Sequence, residues 1–313
     1  MFGDVKSGIP SFSARFCPFL ECPGNPDHVL FHPGSGRIYR KGFFYRSSDS
    51  RWIRRFQCAR CRRTFSRATF SVCLGQKKRN LNERIRKLLC SGVSQRRIAR
   101  LLRVNRKTVE RKFLFLASVS KKNHALFLNA RVQEKGLFQD LQFDEMESFE
   151  RSKCLPVSIP LVVEPKSRKI LSLRVGSMPA KGLLAPISRR KYGFREDHRP
   201  RIARELWQEL TPLIHESPRI LSDQNPKYPS WIRPHCPQAI HSTVKGKRGC
   251  IVGQGELKKT GYDPLFDLNH TAAMIRANIN RLFRRTWCTT KRADRLELHL
   301  WLYAEYHNQV LTA

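Results

Sequence analysis

The chain has 313 residues and carries 60 Lys and Arg against 25 Asp and Glu, a formal charge of +35. With 40% hydrophobic residues it can build a core, which excludes a disordered polycation. A folded chain this basic repels itself, and that points to a polyanionic partner, nucleic acid first and an anionic membrane surface second. The longest uncharged apolar run, Cys154 to Val163, falls far short of the roughly 20 residues a spanning helix needs, so no membrane insertion is expected. The opening MFGDVKSGIPSFSARF lacks the basic start and apolar core of a secretory signal, which predicts a cytoplasmic, nucleoid-associated protein. Ten cysteines in a reducing compartment favour zinc and free thiols over a disulfide framework.

Charge divides the chain. Residues 77–135 hold 18 basic side chains against three acidic ones, and acids then cluster at Asp140, Asp144, Glu145, Glu147 and Glu150, which places a boundary near residue 138. The expected parts are a cysteine-bearing module over 12–72, a basic helical module over 77–122 and a larger mixed domain over 138–313.

In the first part, Cys17 and Cys22 precede a loop, two short strand-like runs (Gly42 to Tyr45 and Arg51 to Gln57) and a second pair, Cys58 and Cys61. Two close pairs on two knuckles give four thiolates a route to one tetrahedral Zn²⁺, whose binding supplies much of the folding energy of so small a module. The competing reading is four unrelated buried cysteines. Cys73, Cys90, Cys154, Cys236, Cys250 and Cys288 occur singly and read as small buried residues.

In the second part, apolar residues at 85, 88 and 89, at 98, 101 and 102, and at 109, 113 and 116 recur at helical spacing. Ser94 and Asn105 stand where N-caps belong, and Gly92 can take the left-handed turn that ends a helix. Three short helices with a tight turn before the third make a helix-turn-helix. Its third helix carries Arg106, Lys107, Arg111 and Lys112 and is expected in the major groove of double-stranded DNA. Otherwise these charges are only a solvated helix face.

The third part alternates. Leu141 to Phe149, Leu155 to Glu164 and Ile170 to Val175 read as strands, and Arg201 to Leu210 as an amphipathic helix. Arg219 to Asp223 and Ala239 to Val244 read as strands, and about Leu265–Arg285 and Arg292–Val310 as helices. That order predicts an α/β domain with a mixed sheet. Asp144 lies inside a strand and Asp223 closes another, where an acid is costly unless it binds something positive. Two such carboxylates on adjacent strands would hold Mg²⁺ or Mn²⁺ for phosphoryl transfer. Glu145 should point to the face opposite Asp144.

Taken together, these motifs resemble transposases of the insertion-sequence-one type and related DDE insertion elements. The four cysteines with the run FQCARCRRTF (56–65) match the zinc ribbon, and FDEMESF (143–149) matches the strand with the first catalytic Asp. LSDQNPKY (221–228) matches the second Asp strand with its aromatic five residues later. Asn269–His270 through Arg276, and RLFRRTW (281–287), match the final catalytic helix. The resemblance implies a ribonuclease-H-like catalytic domain that cuts and joins DNA, with Asp144, Asp223 and a third helix-borne residue as metal ligands. It also implies that Arg276 contacts DNA and that the protein acts as a homo-oligomer on two element ends. The chain departs from the family at one place: counting back seven from Arg276 reaches Asn269, where a glutamate is usual. An amide oxygen can still ligate Mg²⁺, and Asn269 shares a helix face with Arg276. His270, Ala273 and Ala277 lie near that face, and the alanines would let it approach the sheet. Asn269 would otherwise only cap the helix. The functional expectation is a DNA transposase; the alternatives are a catalytically inactive relative, a DNA-binding regulator, or a nuclease that cuts without joining.

Overall fold

The computed structural model describes residues 14–32, 37–47, 50–245, 263–283 and 288–312. The chain divides into two compact units, Met1–Arg84 and Ile85–Ala313.

The first unit is built on a three-stranded antiparallel sheet, β1 (Ile38–Arg46), β2 (Arg51–Cys58) and β3 (Thr64–Ser66), in the order β1-β2-β3. Its core is small: Phe56 and Phe65, with ring centroids 5.8 Å apart, packed beside Cys17, Cys22 and Cys58. So little apolar area cannot hold a fold of this length unaided.

Helix α1 (Asn82–Leu89) begins at the division between the units and is followed by α2 (Gln95–Leu101) and α3 (Arg106–Lys135). The expected caps are present: Ser94 accepts from the Arg97 N–H at 3.4 Å and Asn105 from the Lys107 N–H at 2.8 Å. Gly92 has φ +73°, donates to the Asn278 carbonyl, and would bring a Cβ to 2.7 Å from Phe283, so both turn and packing demand glycine.

The third helix is not short. It runs 30 residues, well past the expected end near 122, because its buried stripe continues through Phe113, Leu116, Ser120, His124 and Leu128. Ser120 and Asn123 donate to the buried Glu305, which also takes an ion pair from Arg86 at 2.9 Å, and the His124 ring meets the Ile170 carbonyl at 2.9 Å. These contacts tie α3 to the large sheet and to Glu305, all within the compact unit Ile85–Ala313.

That sheet contains β4 (Phe138–Phe149), β5 (Pro156–Val163), β6 (Ile170–Leu173), β8 (Ile214–Asp223) and β9 (Ile240–Val244), with a short β7 (Gly176–Ser177) paired to β5. The order is β6-β5-β4-β8-β9; β5 is antiparallel to both its neighbours, β4 and β6, while β8 and β9 run parallel to β4. This is the expected α/β domain with a mixed sheet. Leu141 and Phe143 face α5 (Arg199–Leu210), where Phe143 packs on Trp207. Gln142, on the other face, bonds the Leu268 N–H and the Pro264 carbonyl and so anchors α7 (Phe266–Asn278). Helix α8 (Ala293–Tyr306) ends in a wider turn through Leu311.

Two short helices have no counterpart among the elements expected from the sequence. These are α4 (Leu184–Tyr192), whose one buried residue is Ser188, and α6 (Tyr228–Ile232). The helix expected over 265–285 stops at Asn278, where Ile279 turns extended and a 3-10 turn follows over Asn280–Leu282. Cys250 and residues 284–287 of the RLFRRTW run lie outside the described residues.

Candidate functional site

The centre of the large sheet brings Asp144 and Asp223 together. β4 and β8 are parallel neighbours in register at Phe143 and Ser222, so the next residues on each strand are the two aspartates. Both are half-buried. Burial pushes the Asp144 carboxyl above its ordinary range and the Asp223 charge adds to this, while bonds from Tyr228 and the Glu145 N–H and the charge of Arg276 oppose it.

The loop after Asp223 builds the support for Asp144. Asp223 Oδ1 accepts the Asn225 N–H at 3.0 Å, and Asn225 Oδ1 accepts the Lys227 N–H at 3.1 Å. Two successive side-chain turns of this kind fold the chain back on itself. They deliver Tyr228, whose hydroxyl donates to Asp144 Oδ1 at 2.8 Å; the Glu145 N–H reaches the same oxygen at 2.6 Å. The Tyr228 ring is buried against Phe143 and Trp231. Burial and the neighbouring carboxylates push its phenol up, so it stays a donor. The aromatic five residues after Asp223 was visible in the sequence, but its tie to Asp144 was not.

Glu145 sits as expected on the other face. It accepts from Ser158, burial raises its carboxyl, and the Arg199 charge at the start of α5 pulls it back. Glu147 pairs with Lys181, and Glu150 with Arg195 at 3.0 Å.

On α7 the arrangement differs from the expectation. Leu268, Thr271, Ala272 and Ile275 form the buried side, whereas Ala273 and Ala277 are exposed and do not form the close approach to the sheet. Asn269 is exposed too, and its amide donates to Asp263 Oδ2 at 2.9 Å. Asp267 accepts the Lys166 N–H at 2.9 Å. From this helix, the charge of Arg276 acts on Asp144 and opposes the rise of its carboxyl.

Cys17, Cys22, Cys58 and Cys61 form a second centre, their sulfurs all within 4.8 Å of one another. Cys17 and Cys61 are 3.7 Å apart, and Cys22 and Cys58 3.8 Å. Zn–S bonds of about 2.3 Å at tetrahedral angles require sulfurs about 3.8 Å apart, so the four thiols fit one zinc ion. The knuckles add the N–H groups that thiolates need: Phe19 to Cys17, Gly24 to Cys22 and Arg63 to Cys61.

At the start of α3, Arg106, Lys107 and Arg111 are exposed. Lys112 is not: it is 5% exposed, on the inner side of the helix with Val109 and Phe113, and so leaves the expected DNA-facing set. Among the described residues no helix is long and apolar enough to cross a membrane.

No protein-family model matches this chain, and no curated protein matches it. Among solved structures, a pre-cleavage Mos1 transpososome is similar at 11% identity with a TM-score of 0.20, over 70% of this chain and 74% of that one. At that level the likeness adds nothing to what the geometry of the two centres says.

Proposed function

We propose that this protein is a DNA transposase of the DDE type. It would bind element ends through its zinc ribbon and helix-turn-helix and carry out metal-dependent strand cleavage and transfer on a ribonuclease-H-like domain. The observation that carries this reading is the juxtaposition of Asp144, within β4, and Asp223, which closes the adjacent parallel strand β8, with Tyr228 holding the first of them. The order of strand, two antiparallel strands, helix, parallel strand, strand and helix supports it, as do the +35 charge and the caps of α2 and α3.

Carboxylate oxygens suit Mg²⁺ or Mn²⁺, and the two side by side fit such an ion. When bound, it supplies charge to the phosphoryl oxygens and acidifies the attacking hydroxyl. The chain's own residues do the rest. Tyr228 and the Glu145 N–H fix Asp144 through Oδ1, and the Asn225 N–H fixes Asp223 through Oδ1, so we assign the other oxygens to the ion. Arg276 offsets part of the charge that the two carboxylates bring together. Synapsis of two ends calls for at least two copies, acting in the cytoplasm at the nucleoid. Incubation with DNA bearing the element's ends and Mg²⁺ or Mn²⁺ tests the reading: 3′-hydroxyl ends joined to target DNA are expected, and nicking without joining would leave only a nuclease.

The DNA-facing role of α3 makes its own prediction. The triple variant Arg106→Ala, Lys107→Ala, Arg111→Ala is expected to weaken duplex binding and to lower the salt slope by up to about three, roughly one for each phosphate that a removed side chain had neutralised. An unchanged slope would assign the DNA-binding surface elsewhere.

The second reading, a catalytically inactive relative serving as a DNA-binding regulator, is favoured by Asn269. With an amide where the family places a carboxylate, and that amide engaged by Asp263, the site has one negative charge fewer for the ion. If Asn269 is the third ligand, Asn269→Glu is expected to raise Mg²⁺-dependent cleavage and Asn269→Ala to abolish it. Cleavage lost in Asp267→Ala but kept in Asn269→Ala would move the ligand to Asp267.

A further inference from the structure

One face of the β1–β2 hairpin is aromatic and open to solvent. Cross-strand partners in an antiparallel pair share a face, and Phe43 pairs with Arg54 while Tyr45 pairs with Trp52. Phe43, Tyr45 and Trp52 are 49%, 52% and 70% exposed, although a hydrophobic residue this large normally finds cover. Tyr45 and Trp52 contact each other with centroids 5.4 Å apart, and the Arg54 guanidinium lies 4.3 Å from the Phe43 ring centre. The rings are held in place but not covered. Arg54, also exposed, is the cation on this face, since Arg51 and Arg55 alternate with it and with Trp52 along β2.

We propose that this face binds single-stranded DNA by stacking unpaired bases on Trp52, Tyr45 and Phe43, with Arg54 on the phosphates. The proposal rests on the DNA reading above and adds which form of DNA this module takes. Charge complementarity selects the occupant, since an arginine set among bare aromatic rings in a chain of +35 suits a polyanion that carries π-faces. The spacing selects the single strand. Same-face residues on one strand are about 7 Å apart, roughly twice the 3.4 Å rise between bases in a duplex strand. Bases in a duplex also keep their faces covered by their neighbours and offer only edges. A strand drawn out of its stack can lay base faces on successive rings, so the ribbon would engage opened ends while α3 holds intact duplex.

Fluorescence anisotropy on the full chain at fixed salt tests this, with labelled oligothymidylate and a labelled mixed-sequence duplex as probes. Trp52→Ala is expected to weaken oligothymidylate binding about tenfold, the scale of removing one base stack. Duplex affinity should stay within about twofold, and Trp52→Tyr should recover most of the loss. Zinc content checks that the ribbon is folded; if Trp52→Ala loses zinc, Tyr45→Ala takes its place with the same expectation. Unchanged single-strand affinity, or equal losses for both probes, overturns the proposal. Wild-type protein that binds duplex but not oligothymidylate overturns it while leaving the DNA reading intact, and binding to neither overturns both. A fall in the mass of the free protein from dimer to monomer in Trp52→Ala would assign the face to a second copy of the chain and also overturns it.

Discussion

Asp144→Asn and Asp223→Asn are each expected to reduce metal-dependent DNA cleavage by about a thousandfold or more, while DNA binding through α3 is retained. The size follows from what a bound ion supplies to phosphoryl transfer, several kcal/mol of transition-state stabilisation, where each ~1.4 kcal/mol is tenfold in rate. An asparagine keeps the size of the side chain and can still accept from Tyr228 and the Glu145 N–H, but it removes the charge that would hold the proposed ion. Stability should not fall with activity. Asp144 is half-buried beside Asp223, so ionising it costs free energy in the folded chain that a neutral amide does not incur. A cleavage assay in Mg²⁺ and Mn²⁺, run beside thermal unfolding, separates the two effects. Near-normal cleavage by either variant would mean that the two acids are not ion ligands. Lost cleavage accompanied by a much lower melting temperature would mean that they serve the fold.

The parts of this site that were legible in the sequence are those whose chemistry conflicts with their surroundings. An aspartate in the middle of a strand, directly after the buried Phe143, and another closing a strand after Ile220 and Ser222, stand out because burial penalises them. The paired cysteines stand out because their spacing brings the members of each pair to one knuckle. Ser94 and Asn105 were legible as caps because capping is decided within three residues. What was not legible depends on partners far along the chain. The length of α3 was hidden by Ser120 and His124, polar residues in the buried stripe that are satisfied by Glu305 and by the Ile170 carbonyl. Lys112 was hidden because the charge pattern cannot say that it falls on the buried side of α3 with Val109 and Phe113. The tie of Tyr228 to Asp144 spans 84 residues and needs two consecutive side-chain turns. On α7 the seven-residue offset between Asn269 and Arg276 puts both on one side of a helix, but periodicity does not say which side meets the sheet. That side belongs to Leu268, Thr271, Ala272 and Ile275.

Removing zinc is expected to unfold the ribbon and leave the α/β unit folded. Two phenylalanines and the cysteines themselves make up most of the buried core around β1, β2 and β3. Burying a large side chain contributes only about 1.5–3 kcal/mol, while ordering each residue costs about 1–2 kcal/mol of backbone entropy. Structural zinc in small fingers supplies about 10–16 kcal/mol, which reverses that balance. Residues 85–313 carry a separate core around Phe143, Trp207 and Tyr228 and need no metal to hold it. Purified protein should therefore contain about one zinc per chain. Cys58→Ser, which removes a fully buried ligand, should lose it. In that variant the amides of β1 and β2 should exchange freely, while those of β4, β5 and β8 keep their protection. A Cys58→Ser protein that binds no metal yet keeps full protection in β1 and β2 would show that strand pairing alone holds the ribbon, and the sulfur spacing near 3.8 Å would then need another explanation.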